Sequence, residues 1–544
     1  MGFQRLFLFL IFSFSLIVLW SDWVRQNQPP APPSVSTTQD ASVPSASLPA
    51  AQKPVATAPV ETKTAPVGKK ITVKTDIFEA EIGSIGGNLQ RLELSQHRDA
   101  VDQSKPITLL QREGEHTYLA QSGLLGKDLP THNAEFAASA DEFKLAEGKD
   151  SLEVRLTALG TGSAQVTKIY TFHRASYLVD VSYEIENKGS ATLASSAYFQ
   201  FIRDSNPLAG ASVFVPTYTG AAVYTDLEKF QKIDFDTIEK NKAEIPHNPD
   251  NGWIGMLQHY FVAAWLPQGK DMREFYAKKV DEQLFSAGVV LPVANIEPGQ
   301  IGRITTPLYI GPAQSKLDDI APGLGLSVDY GWLTVFATPL FWMMSLFNDL
   351  VHNWGVAIIL LTILIKLVFF PLSAASYRSM AKMRVVAPKL EKIKQQYGDD
   401  RERLNKAMMD LYKTEKINPL GGCLPVLIQI PVFIALYWAI LSSVELRHAP
   451  FFGWIQDLSA TDPYYVLPVI MGLSMLIQSK LNPVPPDPLQ AKLMQIMPIA
   501  FSVVFFFFPA GLVLYSIVNN ILSIGQQWYI TRGEEAARKV GGKA

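Results

Sequence analysis

The stretch GVAIILLTILIKLVFFPL (355–372) decides the fold, because it is an apolar run interrupted by one ionisable residue, Lys366. A run of this length is what a helix needs to cross a hydrocarbon core of about 30 Å. An ionised side chain inside such a span costs about 2.5–3.5 kcal/mol on insertion scales, so it marks a wet cavity or a partner. Snorkelling is the other reading. Pro371 lies five residues on, about 7.5 Å of helix rise, which a lysine stem can cover to reach the interface.

Further apolar runs surround it. LGGCLPVLIQIPVFIALYWAIL (420–441) and 464–478 read as spans, and 493–524 is too long for one. Its break at Pro509-Ala510-Gly511 predicts two antiparallel helices, near 493–508 and 510–530, joined by a tight turn. At the other end, LFLFLIFSFSLIVLWSDWV (6–24) follows Arg5 and closes on Trp20 and Trp23, which predicts a signal-anchor span with its N-terminus in the cytoplasm. GWLTVFATPLFWMMSLFNDL (331–350), within 326–352, reads as an amphipathic helix on the outer interface. Charge sets the sides. The loop 373–418 holds 11 Lys/Arg against 6 Asp/Glu, whereas 443–463 holds only Arg447 against Glu445, Asp457 and Asp462. The first is therefore placed in the cytoplasm and the second outside, with the tail 532–544 (Arg532, Arg538, Lys539, Lys543) inside. Six spans follow. The segment 464–477 is short, about 21 Å as helix, which predicts local thinning of the bilayer.

Between anchor and core the composition changes twice. Residues 26–68 are rich in Pro, Ala and Ser and read as an extended tether. From 69 to 325, runs such as KITVKTDIFEAEIG (70–83) and YLVDVSYEIENKG (177–189) alternate apolar and polar side chains with the period of a half-buried strand. The fold class is therefore an α-helical polytopic membrane protein joined to an all-β sandwich domain.

Lys366 has polar company. Thr362 lies one turn away, and other spans carry Gln429, Tyr515, Ser516, Asn519 and Asn520, while no Asp or Glu falls within the core spans. A cation among neutral hydrogen-bonding groups suits a hydrated groove that attracts acidic residues of a transiting chain; helix–helix hydrogen bonding is the plainer account of the same set. In the loop 373–418, Met383, Val386, Leu390, Ile393 and Tyr397 recur at helical spacing, Gly398-Asp399-Asp400 breaks the run, and Leu404, Met408 and Leu411 resume it. This helical hairpin could dock a ribosome, a targeting receptor or anionic membrane lipids, or be a solvated charged pair.

Other chemistry finds no support. A net charge of −2 gives no global field for nucleic acid, and the eight histidines form no metal-spaced pair. There is no Gly-rich phosphate loop, and the single Cys423 allows no disulfide framework. No catalytic residue, metal or cofactor is expected, and no sequence-specific nucleic-acid partner.

The segments AKMRVVAPKLEKIKQQYGDD (381–400), LYKTEKINPLGGCLPVLIQIPVFIALYWAI (411–440), SSVELRHAPFFGWIQDLSATDPYYVLPVIMG (442–472) and MPIAFSVVFFFFPAGLVLYSIVNNILSI (497–524) resemble the YidC/Oxa/Alb insertase family. With the anchor, tether and β domain, the chain is similar to the Gram-negative type with a large periplasmic domain. The resemblance implies a bacterial inner-membrane insertase and chaperone of nascent membrane proteins, acting alone or with the Sec translocon. It implies a five-helix core, at about 353–531, around a groove open to cytoplasm and lipid, with the groove cation at Lys366. Ile430, Pro431, Phe433 and Met471 would form a slide for the substrate helix, with Thr362 and Tyr515 nearby. The β domain would be a periplasmic supersandwich of the kind seen in sugar-processing enzymes, without their activity. Many relatives carry arginine where this chain has Lys366, and lysine loses its proton more readily when desolvated. The tail is short, which shifts the implied ribosome contact toward the hairpin. Two other classes stay open: a solute transporter, disfavoured by the absence of repeats and of an acidic partner, and a tethered carbohydrate enzyme.

Overall fold

The computed structural model describes residues 43–44, 68–99, 102–114, 116–160, 162–207, 217–398, 400–415, 424–482 and 488–541. The expected anchor at 6–24, nearly all of the tether, and Cys423 lie outside the described residues.

Strands form where the alternation is strict. In β10 (Leu178–Asn187) every second side chain is buried, so Val179, Val181, Tyr183 and Ile185 face inward and Ser182 and Glu184 outward. Eighteen strands among the described residues make two nine-stranded sheets. One runs in the order β16 (Glu274–Lys279), β17 (Leu284–Ile296), β11 (Leu193–Asp204), β5 (His116–Leu125), β4 (Pro106–Glu113), β3 (Leu89–Arg98), β2 (Phe78–Gly83), β1 (Lys70–Lys74) and β7 (Glu142–Lys144), the other in the order β13 (Lys229–Ile233), β12 (Gly220–Thr225), β14 (Trp253–Gln258), β15 (Phe261–Trp265), β18 (Ile301–Pro312), β10, β9 (Ala164–His173), β8 (Ser151–Ala158) and β6 (Phe136–Ala138). Pairing is antiparallel apart from β1 (Lys70–Lys74) with β7 (Glu142–Lys144), which run parallel with Val73 opposite Phe143. Ile71, Val73, Phe78, Phe199 and Phe201 of the first sheet share one apolar core with Val154, Val179, Phe261 and Trp265 of the second. This core contains a lysine. Lys168, on β9 (Ala164–His173), is fully buried, donates to the Gly86 carbonyl at 3.1 Å and lies over the rings of Tyr170 and Tyr183. Burial without an acidic partner pushes its amine well below the usual lysine range.

A second core continues from the outer face of the second sheet into the helices, joining Tyr224, Trp253, Leu257 and Val262 to Leu324, Phe341, Leu361 and Leu436. The connecting segment is tied to the sheet by the Trp253 indole, which donates to Pro322 O at 3.0 Å. Gly323 follows at φ +73°, where a Cβ would sit 2.3 Å from the Tyr224 ring, so no other residue fits. The two regions also meet through polar contacts. His259 Nε2 lies 2.9 Å from Leu441 O, the Ser442 hydroxyl donates to Asp329 O, and the Arg447 guanidinium lies over Tyr260 and Phe261.

After the short helix α1 (Phe235–Glu239) come α2 (Thr334–Val351), α3 (Trp354–Val368), α4 (Phe370–Tyr397), α5 (Arg401–Thr414), α6 (Leu424–Ser442), α7 (Val466–Leu481), α8 (Pro488–Phe505) and α9 (Ala510–Gly541). By length and composition α2 can cross a membrane, as can α3 with α4 taken together, while parts of α6, α7 and α8 form shorter apolar helices. On α2, Ala337, Phe341 and Met344 are buried, whereas Val335, Phe336, Trp342, Leu346 and Leu350 are exposed. Its open face is therefore mostly apolar, with Thr338 and Asp349 also exposed on the helix. The run 355–372 is not one straight helix. It breaks at Phe369, where α3 and α4 meet at 66°, because Pro371 fits the first turn of a helix but not its interior. Helix α4 pairs with α5 through Met383, Val386 and Leu390 against Met408, Leu411 and Tyr412.

Candidate functional site

Helix α9 organises the site. Ser516, Asn520, Ser523 and Gln527 recur every three or four residues, and Asn519 lies three after Ser516 and four before Ser523, so they form one face. All five are buried, although their helix lies in the most apolar third of the chain. This face meets α3 and α7, and α4 also packs on α9.

Lys366 reaches this face from the last turn of α3. It is half-buried, and its Nζ donates to the Ser523 hydroxyl at 2.7 Å, while Ser523 donates to the Asn519 carbonyl of its own helix at 2.7 Å. Across the face, Asn520 Nδ2 donates to Ser474 Oγ at 3.2 Å and approaches Met471 Sδ at 3.6 Å, tying α9 to α7. Gln527 closes the lower end with Leu481 O and Asn482 Oδ1, each at 3.1 Å.

Other members of the set spend their polarity locally. Thr362 is buried on α3 and its hydroxyl donates to Ile358 O at 2.6 Å; Ser516 donates likewise to Leu512 O at 2.8 Å. Tyr515 is 1% exposed, and its hydroxyl has no partner among the described residues. Its ring lies 6.5 Å from that of Phe433, which also meets Phe505 and Phe508. Gln429 is half-buried on α6.

The residues named for the slide divide. Ile430 is half exposed, Pro431 and Phe433 are partly buried on α6, and Met471 is 4% exposed, facing Asn520. The open face of α7 is instead Val469, Ile470, Leu473, Leu476 and Ile477.

Three members of the polar face were missed in the sequence: Ser474, Ser523 and Gln527. The signal for the last two is the three-and-four spacing that continues beyond Asn520. Among the described residues, the side chains hydrogen-bonded around Lys366 are hydroxyls and amides, none of them a carboxylate. Among the described residues no group of His, Cys, Asp and Glu could hold a metal ion.

Comparison with known proteins agrees over nearly the whole chain. The family model described as the YidC periplasmic domain matches residues 70–343, and that described as the 60Kd inner membrane protein matches 346–537. A membrane protein insertase YidC of Nitrosospira multiformis is 55% identical, with 97% of each chain covered. One of Methylobacillus flagellatus is also 55% identical, with 99% of each covered. Among solved structures, an active YidC insertase with its first transmembrane domain resolved covers 86% of this chain and 93% of its own at 18% identity, with a TM-score of 0.38. A galactose mutarotase-related enzyme from Lactobacillus acidophilus covers 44% of this chain and 97% of its own at 11% identity and 0.32. Both scores are too low to bear on function. The two matched segments and the full-length relatives place this chain in the YidC family of membrane protein insertases.

Proposed function

We propose that the chain inserts integral membrane proteins into the bacterial inner membrane and helps them fold, using the polar face of α9 and Lys366 as a hydrated groove for the substrate. The observation that carries this is the bond from Lys366 to Ser523. The cation is held by a neutral hydroxyl and has no acidic residue on α3, α6, α7 or α9 up to Ile530 to neutralise it. An acidic residue on a passing chain would offer the counter-charge, and hydrogen bonds to charged groups contribute about 1.5–3 kcal/mol. Ile430 and Phe433 on α6, with the exposed face of α7, would give the apolar flank of the substrate somewhere to lie.

The membrane arrangement belongs to the same proposal: six spans, both termini in the cytoplasm, and the β domain, a supersandwich, in the periplasm. The hairpin of α4 and α5 would then stand in the cytoplasm, where it could meet a ribosome or targeting receptor. Work beside the Sec translocon is compatible with a groove open to lipid.

Reconstituted vesicles test the reading. With Lys366→Ala, insertion of single-span substrates bearing acidic external tails should fall about tenfold or more, the equivalent of 1.4 kcal/mol or above. Wholly apolar substrates should be spared, and Lys366→Arg should stay close to the parent. Unchanged insertion of both classes with Lys366→Ala would sink the role of the cation. Photocrosslinking from Ile430 and Phe433 to a stalled nascent chain should give substrate adducts.

A further inference from the structure

The loop between α6 and α7 shows aromatic side chains to its surroundings. Phe452 is 65% exposed, Trp454 40%, Tyr464 70% and Tyr465 46%. They stand on an ordered turn. Phe451 N donates to Ile455 O at 3.0 Å, and Gly453 takes φ +63° at the tip, where an added Cβ would meet nothing within 4 Å. The turn is fixed to the corner between α2 and α3. Asn353 Nδ2 donates to Phe451 O at 3.2 Å, and a Cβ at Gly355 would lie 2.0 Å from the Phe451 ring. Leu346, Leu350 and Val351 of α2 lead up to that corner and are exposed as well.

The charges of the loop are turned inward. Asp462 is 1% exposed; its Oδ1 accepts from Trp454 Nε1 and Tyr464 N, each at 3.0 Å, and its Oδ2 from Leu467 N at 2.7 Å. Asp457 pairs with His448 Nδ1 at 3.1 Å and accepts from Ser459 N and Ala460 N at 2.8 and 3.2 Å. Arg447 lies over the Tyr260 and Phe261 rings of the β domain. No exposed residue from 450 to 465 carries a charge, and Asp349, exposed near the end of α2, stands four residues before Asn353.

A surface that hides its carboxylates and displays aromatic rings gives an ionic partner nothing to pair with. Trp and Tyr, with an apolar body and one polar atom, collect where hydrocarbon meets headgroups. The place in the chain agrees. Tyr464 and Tyr465 directly precede α7, whose 16 residues span about 24 Å against a hydrocarbon core of about 30 Å. A helix this short cannot reach both interfaces, so what grips one end decides where the mismatch falls.

We infer that Phe452, Trp454, Tyr464 and Tyr465 form an anchor that seats among the ester and headgroup atoms of outer-leaflet phospholipid. It rests on the proposal that α7 crosses the membrane with this loop outside. With the outer end held, the shortfall of about 6 Å falls on the cytoplasmic side, at the end of α7 where Gln527 donates to Leu481 O.

The full chain with C423S and one of F452C, Y464C, L473C or K149C is labelled with an environment-sensitive fluorophore and placed in phospholipid nanodiscs. Leu473 lies midway along the open face of α7, and Lys149 is exposed on the β domain. Quenching is read with iodide and with phospholipids carrying a nitroxide near the ester groups or near the chain ends. The probes at 452 and 464 should emit to the blue of that at 149, respond most to the shallow nitroxide, and be quenched severalfold less by iodide. The probe at 473 should respond to the deep nitroxide. F452S with W454S should move the 464 probe into water and leave the 473 probe unchanged, while F452L with W454F should keep both in lipid. Iodide quenching at 452 as strong as at 149, with lipid quenching at 473, would overturn the anchor and leave the spans standing. Aqueous signals at both 452 and 473 would overturn the spans and the anchor together. Shielding of 452 from iodide and nitroxide alike would mean that protein covers the loop, which also overturns the anchor, as would a 464 probe unmoved by F452S with W454S.

Discussion

The two parts of the molecule each enclose a lysine, and they do so in opposite ways. Lys168 sits in the β sandwich with its amine against a backbone carbonyl and two aromatic faces, in a core that is otherwise mostly apolar. Lys366 sits half-buried on a face of Ser, Asn and Gln, and the helices around it show apolar side chains on the outside, among them Ile470, Leu473, Ile477 and Ile521. The β domain is arranged for water outside. The helical part is arranged for hydrocarbon outside, where backbone and side-chain polarity must be satisfied internally. A buried lysine in the first is a defect offset by packing, while in the second the half-buried lysine joins a row of neutral polar side chains.

Substitutions can break or sharpen this contrast. The largest effect should come from Trp265→Ala, because Trp265 is 1% exposed and packs on Phe199 and Phe201 at 5.1 and 5.7 Å. A loss of about 3–5 kcal/mol is expected, seen as a lowered unfolding midpoint of the β domain by circular dichroism of the full chain in detergent. Next comes Ile521→Asp on the open face of α9, which should cost about 2.5–3.5 kcal/mol if hydrocarbon covers it. Reduced membrane accumulation and increased protease sensitivity would report it, and wild-type levels would break the contrast.

Lys168→Met should act in the other direction, raising stability by about 1–3 kcal/mol near neutral pH through removal of a buried amine that has no acidic partner. Its pH dependence gives a sharper test. The folded lysine titrates below the ordinary 10.5 of the unfolded chain, so between those values the unfolded state holds the extra proton. Stability should therefore rise with pH up to about 10.5, by at most about 1.4 kcal/mol per pH unit, and be lost as pH falls. Unfolding midpoints across pH 7–10 should show this slope, and Lys168→Met should remove it. The smallest effect is expected from Leu227→Asp on the β domain, at 88% exposure. It should stay within about 0.5 kcal/mol, and an effect as large as that of Ile521→Asp would erase the distinction between the two surfaces.

Much of this contrast was legible in the sequence, because both environments impose a short period on the chain. Strict alternation in YLVDVSYEIENKG and the long apolar runs after Gly331 separate the β-rich part from the helical part. Pro509-Ala510-Gly511 falls where α8 has ended and α9 begins, and Gly398 falls between α4 and α5. Which strands pair was not legible. The parallel contact of β1 with β7 joins segments about 70 residues apart in the chain, and no local pattern specifies it. The polar site was half visible. Asn519 and Asn520 stand out in an apolar run, but Ser523 reads as an ordinary small helix residue until Lys366 is seen to reach it. Met471 went the other way: its apolar character fits a sliding surface, yet the rotation of α7 turns it inward to Asn520. Rotation about a helix axis is set by neighbours, which the sequence of one helix does not contain.

The bend at Phe369 also has a mechanical side. Phe369 serves both helices, its N–H bonded to Ile365 O of α3 and its carbonyl accepting from Ser373 N–H of α4, so one residue forms the joint between them. Helix α4, with 28 residues, is then an arm about 42 Å long, pivoted three residues from Lys366. Tilting it by 5° swings its far end by about 3–4 Å, while the lysine, close to the fulcrum, moves by well under 1 Å. A pull on the hairpin tip is geared down about tenfold by the time it reaches the cation.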